Sequence, residues 1–306
     1  MPNPMPRILL VDAYSQIFRL FYALPPQAMS NRRGEPTNAL YGMAKLFLQL
    51  ERDFPSEYGA LVFDHGKCRR RTALLPEYKG QRPPMPQELR DQVPRIRQWA
   101  DAFGWPLLER EGVEADDLLA AISRQRESCS VTILTADKDL GQLVQDGQVQ
   151  LMRPEKGGKW NLYGEKEIQE KYGVPPRQLC DYLALLGDTA DNIRGIPGCG
   201  PKTAARLLTQ WDSIDGILAH WEELPPGKLK GTLREEKEHL LQNRELVRLD
   251  DLLPETWHGL ESIRRLTPDW TRLAALCQQE DFRTVLEEIQ RRTTPRQLTL
   301  DMGLED

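Results

Sequence analysis

The chain has 306 residues, 40% of them hydrophobic, and a formal net charge of −5. That is enough apolar content for a substantial core, in one large domain or two smaller ones, and no stretch approaches the ~18 apolar residues of a membrane helix. The apolar run at residues 8–11 is too short for a signal peptide, and the five cysteines (Cys68, Cys129, Cys180, Cys199, Cys277) show no CxxC spacing. A soluble cytoplasmic monomer with reduced thiols, without zinc or disulfides, is expected.

The first half alternates short apolar runs with helical patterns. Residues 7–12 (RILLVD) read as a buried strand, 39–50 (ALYGMAKLFLQL) as a helix and 58–64 (YGALVFD) as a second strand. Residues 87–103 and 115–126 read as helices, 130–135 (SVTILT) as a third strand, and 149–152 as a candidate fourth. Strands alternating with helices predict a mainly parallel central sheet flanked by helices, an α/β fold. Short all-apolar strands fit a sheet covered on both faces. After about Lys171 the pattern becomes helical, at 179–186, 202–210, 214–219 and 234–246, punctuated by Gly and Pro. The residues after Arg292 read as an unstructured tail, and no internal repeat is present.

Charge is segregated. Between His65 and Arg97 there are nine Lys or Arg, among them Lys67, Arg69, Arg70, Arg71, Lys79 and Arg82, against three acids. A local basic surface can track phosphates on an acidic protein; a solvated surface has the same composition.

The acids cluster at particular places. Three strands end in acid, at Asp12, at Asp64, and at Asp137 with Asp139. The carboxyl ends of parallel strands line one ligand-binding edge, although an Asp there also starts turns and caps helices. GVEADDLL places Glu114, Asp116 and Asp117 at a helix start, where carboxylates also suit the macrodipole. LLGDTADN adds Asp188 and Asp191, three apart. If these nine carboxylates converge, like charges ~4 Å apart repel by ~4 kcal/mol at an effective dielectric of about 20, so counter-cations are required. Oxygen donors without His or Cys select hard ions, Mg²⁺ or Mn²⁺. Two such ions about 4 Å apart suit phosphodiester hydrolysis without a nucleophilic side chain.

Residues 192–208 read NIRGIPGCGPKTAARLL. The segment is not a Walker A loop, because Pro201 separates Gly200 from Lys202, and it follows a helix rather than a strand. A helix–hairpin–helix type turn fits better. Gly198 and Gly200 would let backbone N–H groups face a phosphate, with the helix from Lys202 and Thr203 pointing its N-terminus at the same anion. A plain glycine-bearing connector is the other reading.

Taken in order, LLVDAYSQIFRLFYALPP, GEPTNALYGM, LVFD, LLPEYKGQRPPMP, GVEADDLLA, TADKDLGQLV, the run from YGVPPRQL to GPKTAARLL, and DFRTVLEEI resemble the 5′-nuclease domain of bacterial DNA polymerase I, within the flap-endonuclease superfamily. The resemblance spans Arg7 to about Gln290. It implies a PIN-like, resolvase-like nuclease core over residues 1–172, with a helical arch at about 67–97. A helical DNA-binding region with a helix-three-turn-helix would occupy 173–290, and a flexible tail 291–306. By resemblance, Asp12, Asp64, Glu114 and Asp116 would hold a first metal, and Asp117, Asp137, Asp139, Asp188 and Asp191 would serve a second. Arg70, Tyr78, Lys79 and Arg82 sit where the family contacts the threaded 5′ strand and scissile phosphate, and Arg19 matches a basic residue near that phosphate. Lys67 belongs to the arch. The turn from Gly195 to Lys202 matches the element that holds downstream duplex and often a K⁺ ion. The family removes flaps and RNA primers from branched, flapped or nicked DNA in replication and repair.

Polymerase and proofreading portions have no counterpart here, so DNA synthesis is not expected. All the family's carboxylates are filled, which argues against an inert relic and against a non-cleaving junction binder, since unneutralised acids would repel a phosphate backbone. The arch and glycine turn disfavour an RNA-cutting PIN nuclease. In the tail, QLTLDM (Gln297, Leu298, Leu300, Met302) resembles the bacterial sliding-clamp peptide.

Overall fold

The computed structural model describes residues 6–25, 29–155 and 157–293. Strand β1 (Arg7–Asp12) buries four consecutive apolar side chains, as a strand covered on both faces must. Asp12 ends it and caps α1 (Ala13–Ala23), accepting the Ser15 N–H at 3.1 Å. Then come α2 (Asn38–Asp53), β2 (Tyr58–Val62), α3 (Arg69–Leu74), α4 (Gln87–Arg90) and α5 (Val93–Ala102). A two-residue β3 (Leu107–Leu108), α6 (Ala115–Arg124), β4 (Ser130–Leu134), β5 (Val149–Pro154), β6 (Trp160–Tyr163) and α7 (Glu165–Tyr172) follow.

The strands form one sheet in the order β3-β2-β1-β4-β5-β6, parallel throughout except for β6. The expected mainly parallel α/β sheet is therefore present. Val11 pairs with Leu61 on one side and Leu134 on the other. The chain thus leaves the sheet at Asp12, just before Asp64 and just before Asp137 along one carboxyl edge. One face of the sheet (Ile8, Leu10, Val62, Ile133) packs on α6 and the helical region, and the other (Leu9, Val11, Leu61, Phe63) on α1, α2 and α5.

The second half is helical: α8 (Leu179–Leu186), a minimal hairpin of β7 (Gly187–Asp188) and β8 (Ile193–Arg194), α9 (Pro201–Trp211), α10 (Ile214–Ala219), α11 (Lys228–Glu235) and α12 (Lys237–Val247). The last two helices, α13 (Trp270–Gln279) and α14 (Arg283–Thr293), return to the α/β core. The rings of Phe282 and Trp99 lie 5.6 Å apart, and Lys45 of α2 pairs with Glu288 at 2.8 Å. Residues 270–293 follow the helical region in sequence but pack with the sheet.

Several boundaries differ from the sequence reading. The helix expected over 87–103 is two helices, because Pro94 lacks an N–H and its ring would clash with the carbonyl of Arg90, where α4 stops. The helix expected over 234–246 breaks at Glu236, which pairs with Arg194 at 2.6 Å. β3 is too short, and edge strand β6 too polar, to announce themselves in sequence. Among the described residues no helix is long and apolar enough to cross a membrane. The QLTLDM segment lies outside the described residues.

Candidate metal centre

Asp12 sits where β1 gives way to α1. Its Oδ1 caps the helix, and its Oδ2 accepts the Thr135 hydroxyl at 2.8 Å. One carboxylate thus both caps a helix and takes a second bond from the neighbouring strand end. The Thr135 hydroxyl also accepts the Asp137 N–H at 2.9 Å, and Asp137 accepts the Asp139 N–H at 2.8 Å, so the turn after β4 is tied to the end of β1. Asp64 accepts the Ala115 N–H at 2.7 Å, joining the end of β2 to the start of α6, where Glu114 and Asp116 stand. The β7–β8 hairpin carries Asp188 and Asp191. Asp188 caps the short turn between its strands through the Ala190 N–H at 2.8 Å.

These carboxylates divide into two groups. Glu114, Asp191 and Asp188 have cations. Glu114 bonds to Lys79 and Arg71, Asp191 to Arg82, and Asp188 to Lys138 at 2.7 Å. Burial alone would raise the Glu114 carboxyl, but Lys79 and Arg71 outweigh it and hold it low. Lys138 does the same for Asp188. Asp12, Asp64, Asp116, Asp137 and Asp139 make no ion pair among the described residues. Burial and then Asp64 push Asp12 up to about 7. Burial and then Asp137 push Asp139 up to about 8. Asp64 and Asp116 are raised too, each chiefly by burial and then, among charges, by Glu114. Asp139 Oδ1 is buried with no hydrogen-bond partner. Mutual repulsion, an orphaned acceptor and an all-oxygen donor set fit hard divalent cations.

Asp117 stands apart from this group. Both its oxygens accept from Arg71, at 2.6 and 2.9 Å, and one also takes the Asp250 N–H at 2.8 Å. Donor atoms of Cys68, Glu114 and Asp117 lie within 4.8 Å of one another, a spacing that could hold a metal. The Arg71 guanidinium already bonds all three.

The segment expected to form the arch supplies basic groups over the acids. A cleft of about 380 Å³ is lined by Asp64, Lys67, Tyr78, Lys79, Arg82 and Glu114. The Tyr78 hydroxyl donates to Asp191 at 3.0 Å and to Glu114 at 3.2 Å. The Lys79 N–H donates to the Asp191 carbonyl at 3.1 Å and Arg82 Nε to the Ala190 carbonyl at 3.2 Å, so this turn rests on the β7–β8 hairpin. Arg70 points elsewhere. It bonds the Glu245 and Arg248 carbonyls and Asp250, anchoring α3 to the end of α12. That geometry differs from the expected strand contact, because both ends of its guanidinium are engaged. Arg19 bonds Gln16 at 3.0 Å, one turn back on α1, and its guanidinium is lowered by burial. A larger hollow of about 420 Å³ lies at the opposite, amino edge of the sheet beside Arg7 and Ser130. Asp146 is the one acid lining it, so carboxylates rather than volume mark the site.

The glycine turn follows directly from the hairpin. Gly195 is needed for packing, since a Cβ there would lie 1.9 Å from the Leu186 carbonyl oxygen. Gly198 has φ +84° and, like Gly200, open space around it. Gly200 caps α9, Lys202 is exposed and Thr203 half-buried.

Sequence reading missed Arg71, Lys138 and Thr135 as site residues. Arg71 was visible only as one of three consecutive arginines, and nothing local says which of them turns inward.

Family models match both halves of the chain. Residues 7–173 match the model of a 5′-3′ exonuclease N-terminal resolvase-like domain, and residues 174–269 that of a 5′-3′ exonuclease C-terminal SAM fold. The chain is 34% identical to a 5′-3′ exonuclease of Aquifex aeolicus, covering 93% of this chain and 96% of that one. It is 37% identical over 243 residues to DNA polymerase I of Bacillus subtilis, and 34% identical over 288 residues to that of Thermus filiformis. It spans only 27% and 33% of those two proteins' lengths. The fold matches a bacteriophage T5 D15 flap endonuclease complex with DNA and metal ions, with a TM-score of 0.64 at 22% identity, covering 94% of this chain and 97% of that one. It also matches the catalytic core of Rad2 with DNA substrate, at 0.62 and 14%, covering 94% and 92%. The chain belongs to the 5′-3′ exonuclease family and is a phosphodiester-hydrolysing nuclease.

Proposed function

We propose that this nuclease cuts DNA near junctions of single strand and duplex, as a 5′→3′ exonuclease and flap endonuclease dependent on two Mg²⁺ or Mn²⁺ ions. The observation that carries the reading is the set of five carboxylates without a cation beside three that have one. Asp12, Asp64, Glu114 and Asp116 would hold the first ion, and Asp137, Asp139, Asp188 and Asp191 the second, directly or through water. When bound, such ions lower the pKa of a water and stabilise the leaving oxygen. Asp117 serves the site by holding Arg71. Lys79 and Arg82 now pair with acids and would turn to a scissile phosphate, with Tyr78 positioned between Glu114 and Asp191. Arg19 would approach the same phosphate. Lys67, on the exposed rim of the cleft, would meet the entering 5′ strand.

The glycine turn from Gly195 through Gly198, Gly200, Lys202 and Thr203 would hold the duplex backbone without reading bases, with K⁺ as its candidate ion. Substrates would include flapped and nicked DNA and RNA primers in replication and repair, in the cytoplasm, with the chain acting as a monomer. Gln297, Leu298, Leu300 and Met302 would dock on the sliding clamp. The deciding experiment incubates labelled 5′-flap, nicked and single-stranded substrates with Mg²⁺, with Mn²⁺ and with EDTA. Metal-dependent cutting at the junction is expected; cleavage in chelator would exclude the metal mechanism.

A further inference from the structure

The central sheet ends on one side at β6, and among the described residues no strand pairs with the outer edge of β6. On its inner side β6 runs antiparallel to β5, with Arg153 opposite Asn161 and Leu151 opposite Tyr163. The Glu155 N–H donates to the Lys159 carbonyl at 2.8 Å, one step into the connecting turn. Bonded and non-bonded pairs alternate in such a ladder, so Arg153–Asn161 and Leu151–Tyr163 carry the bonds between the strands. Trp160 and Leu162 fall in the alternate pairs, and their N–H and C=O groups point away from the sheet. Pro154, opposite Trp160, has no N–H and fits a non-bonded position.

An open edge of this kind is a template for another strand, and charge or proline usually blunts it. β6 (WNLY) has neither. Leu162 is 44% exposed, and with Phe54 it lines the hollow of about 420 Å³ at the amino edge. Trp160 and Leu162 share the face toward α2, where the Trp160 ring lies 5.5 Å from that of Phe54 and its Nε1 donates to Asp53 at 2.9 Å. Asn161 is exposed on the opposite face.

The C-terminal segment starts beside this edge. In the last turn of α14, Arg292 donates to the Leu48 carbonyl at 2.8 Å. The next residue of α2, Gln49, donates to the Gly158 carbonyl at 2.9 Å, in the turn that enters β6. Residues 294–296 span about 10 Å when extended at ~3.3 Å each, which carries the chain from α14 toward the start of β6. Residues 297–302 read QLTLDM, with Leu298, Leu300 and Met302 alternating with Thr299 and Asp301. Laid along β6, that alternation puts the three apolar side chains on the face of Trp160 and Leu162 and the two polar ones on the face of Asn161. A tether this short holds the segment at an effective concentration on the order of mM.

We propose that residues 297–302 dock as an added strand along the free edge of β6 in the same chain. The backbone of the segment pairs with the outward N–H and C=O groups of Trp160 and Leu162, and its leucines cover Leu162 at the rim of the hollow. The inference goes beyond the clamp reading and does not depend on it. The two states exclude one another, because each buries Leu298, Leu300 and Met302.

The test measures backbone amide exchange over residues 158–164 by mass spectrometry. In the full chain the amides of Trp160 and Leu162 are expected to exchange about 10-fold more slowly, or slower still, than in the chain lacking residues 295–306. A synthetic peptide of residues 295–306 at mM concentration should restore the protection. Leu162→Pro removes only an outward N–H, so it should leave the β5 pairing in place and abolish the protection at Trp160. Leu298→Ser with Leu300→Ser should do the same with β6 unaltered. Equal exchange in the full and shortened chains would overturn the proposal. Protection that disappears on dilution would show a second copy on the edge and would overturn it too. Failure of a clamp pull-down leaves this readout untouched.

Discussion

Arg71 and Asp117 form a buried two-pronged pair, with the guanidinium nitrogens 2.6 and 2.9 Å from the two carboxylate oxygens. The remaining donors of Arg71 reach Glu114, the Leu246 carbonyl at 2.7 Å and the Arg248 carbonyl at 3.3 Å. One side chain thus joins the base of the arch segment, the acidic start of α6 and the end of α12. It also fixes one oxygen of Glu114 so that the other faces Lys79.

Arg71→Ala leaves two buried carboxylates without their cation. Removing one partner of such a pair costs about 3–5 kcal/mol. Chemical denaturation should show a loss of that size. Arg71→Lys should recover only part of it, since a lysine cannot make the paired bonds. An unchanged midpoint for Arg71→Ala would show that the pair contributes nothing.

Asp116 has no ion pair and is raised by burial and then by Glu114. Asp116→Ala should abolish cleavage, a loss on the order of 10³-fold or more if several kcal/mol of metal-assisted stabilisation is removed. Junction binding should remain measurable by fluorescence anisotropy. The same substitution should raise the melting temperature of the metal-free protein, because it removes one repelling charge. Wild-type cleavage would place the metals elsewhere.

The pH dependence has a definite sign. Asp12 and Asp139 have folded values of about 7 and about 8 against an ordinary 3.8. Groups raised in this way favour the folded state while protonated, so their contribution is intact below about pH 4. It is lost as pH climbs through 7 and 8. The melting temperature of the metal-free protein should fall across that window. The rise on adding Mg²⁺ should grow over the same range, with proton release seen by calorimetry in buffers of different ionisation enthalpy. A Mg²⁺-induced shift that does not vary with pH would contradict the assignment.

Lys79 and Arg82 hold Glu114 and Asp191 in the DNA-free chain. Their joint replacement by Ala should slow flap cutting by about 10²–10³-fold, the scale seen when a charge-stabilising donor is lost. Circular dichroism should show the fold retained. Wild-type rates would refute the role given to this segment.

Deletion of residues 295–306 should remove retention by the bacterial sliding clamp in a pull-down, with flap cleavage unchanged in the clamp's absence. Equal retention of the shortened chain would end the clamp proposal.

Much of the site was legible because the chemistry sits at the ends of elements that hydrophobic pattern reveals. RILLVD, YGALVFD and SVTILTADKD are apolar runs that stop at acid, and a parallel sheet brings such ends to one edge whatever the loops between them do. GVEADD and GDTADN were visible as local acid clusters. What could not be read was the pairing. Arg69, Arg70 and Arg71 are identical as letters, yet one reaches Glu111 on the surface, one anchors α12 and one lies buried between two carboxylates.

The sequence by itself determined the α/β class, the acids at the strand ends and the hard-cation chemistry they suit, since these depend on local periodicity and on which donor atoms are present. The tertiary structure decided which carboxylates stay without a cation, that Asp117 holds Arg71, that Arg70 turns to α12, and that Lys138 reaches Asp188. Charge pairing depends on distances of a few ångströms between residues far apart in the chain, and on how much water burial removes from around them. Only the packed molecule sets both.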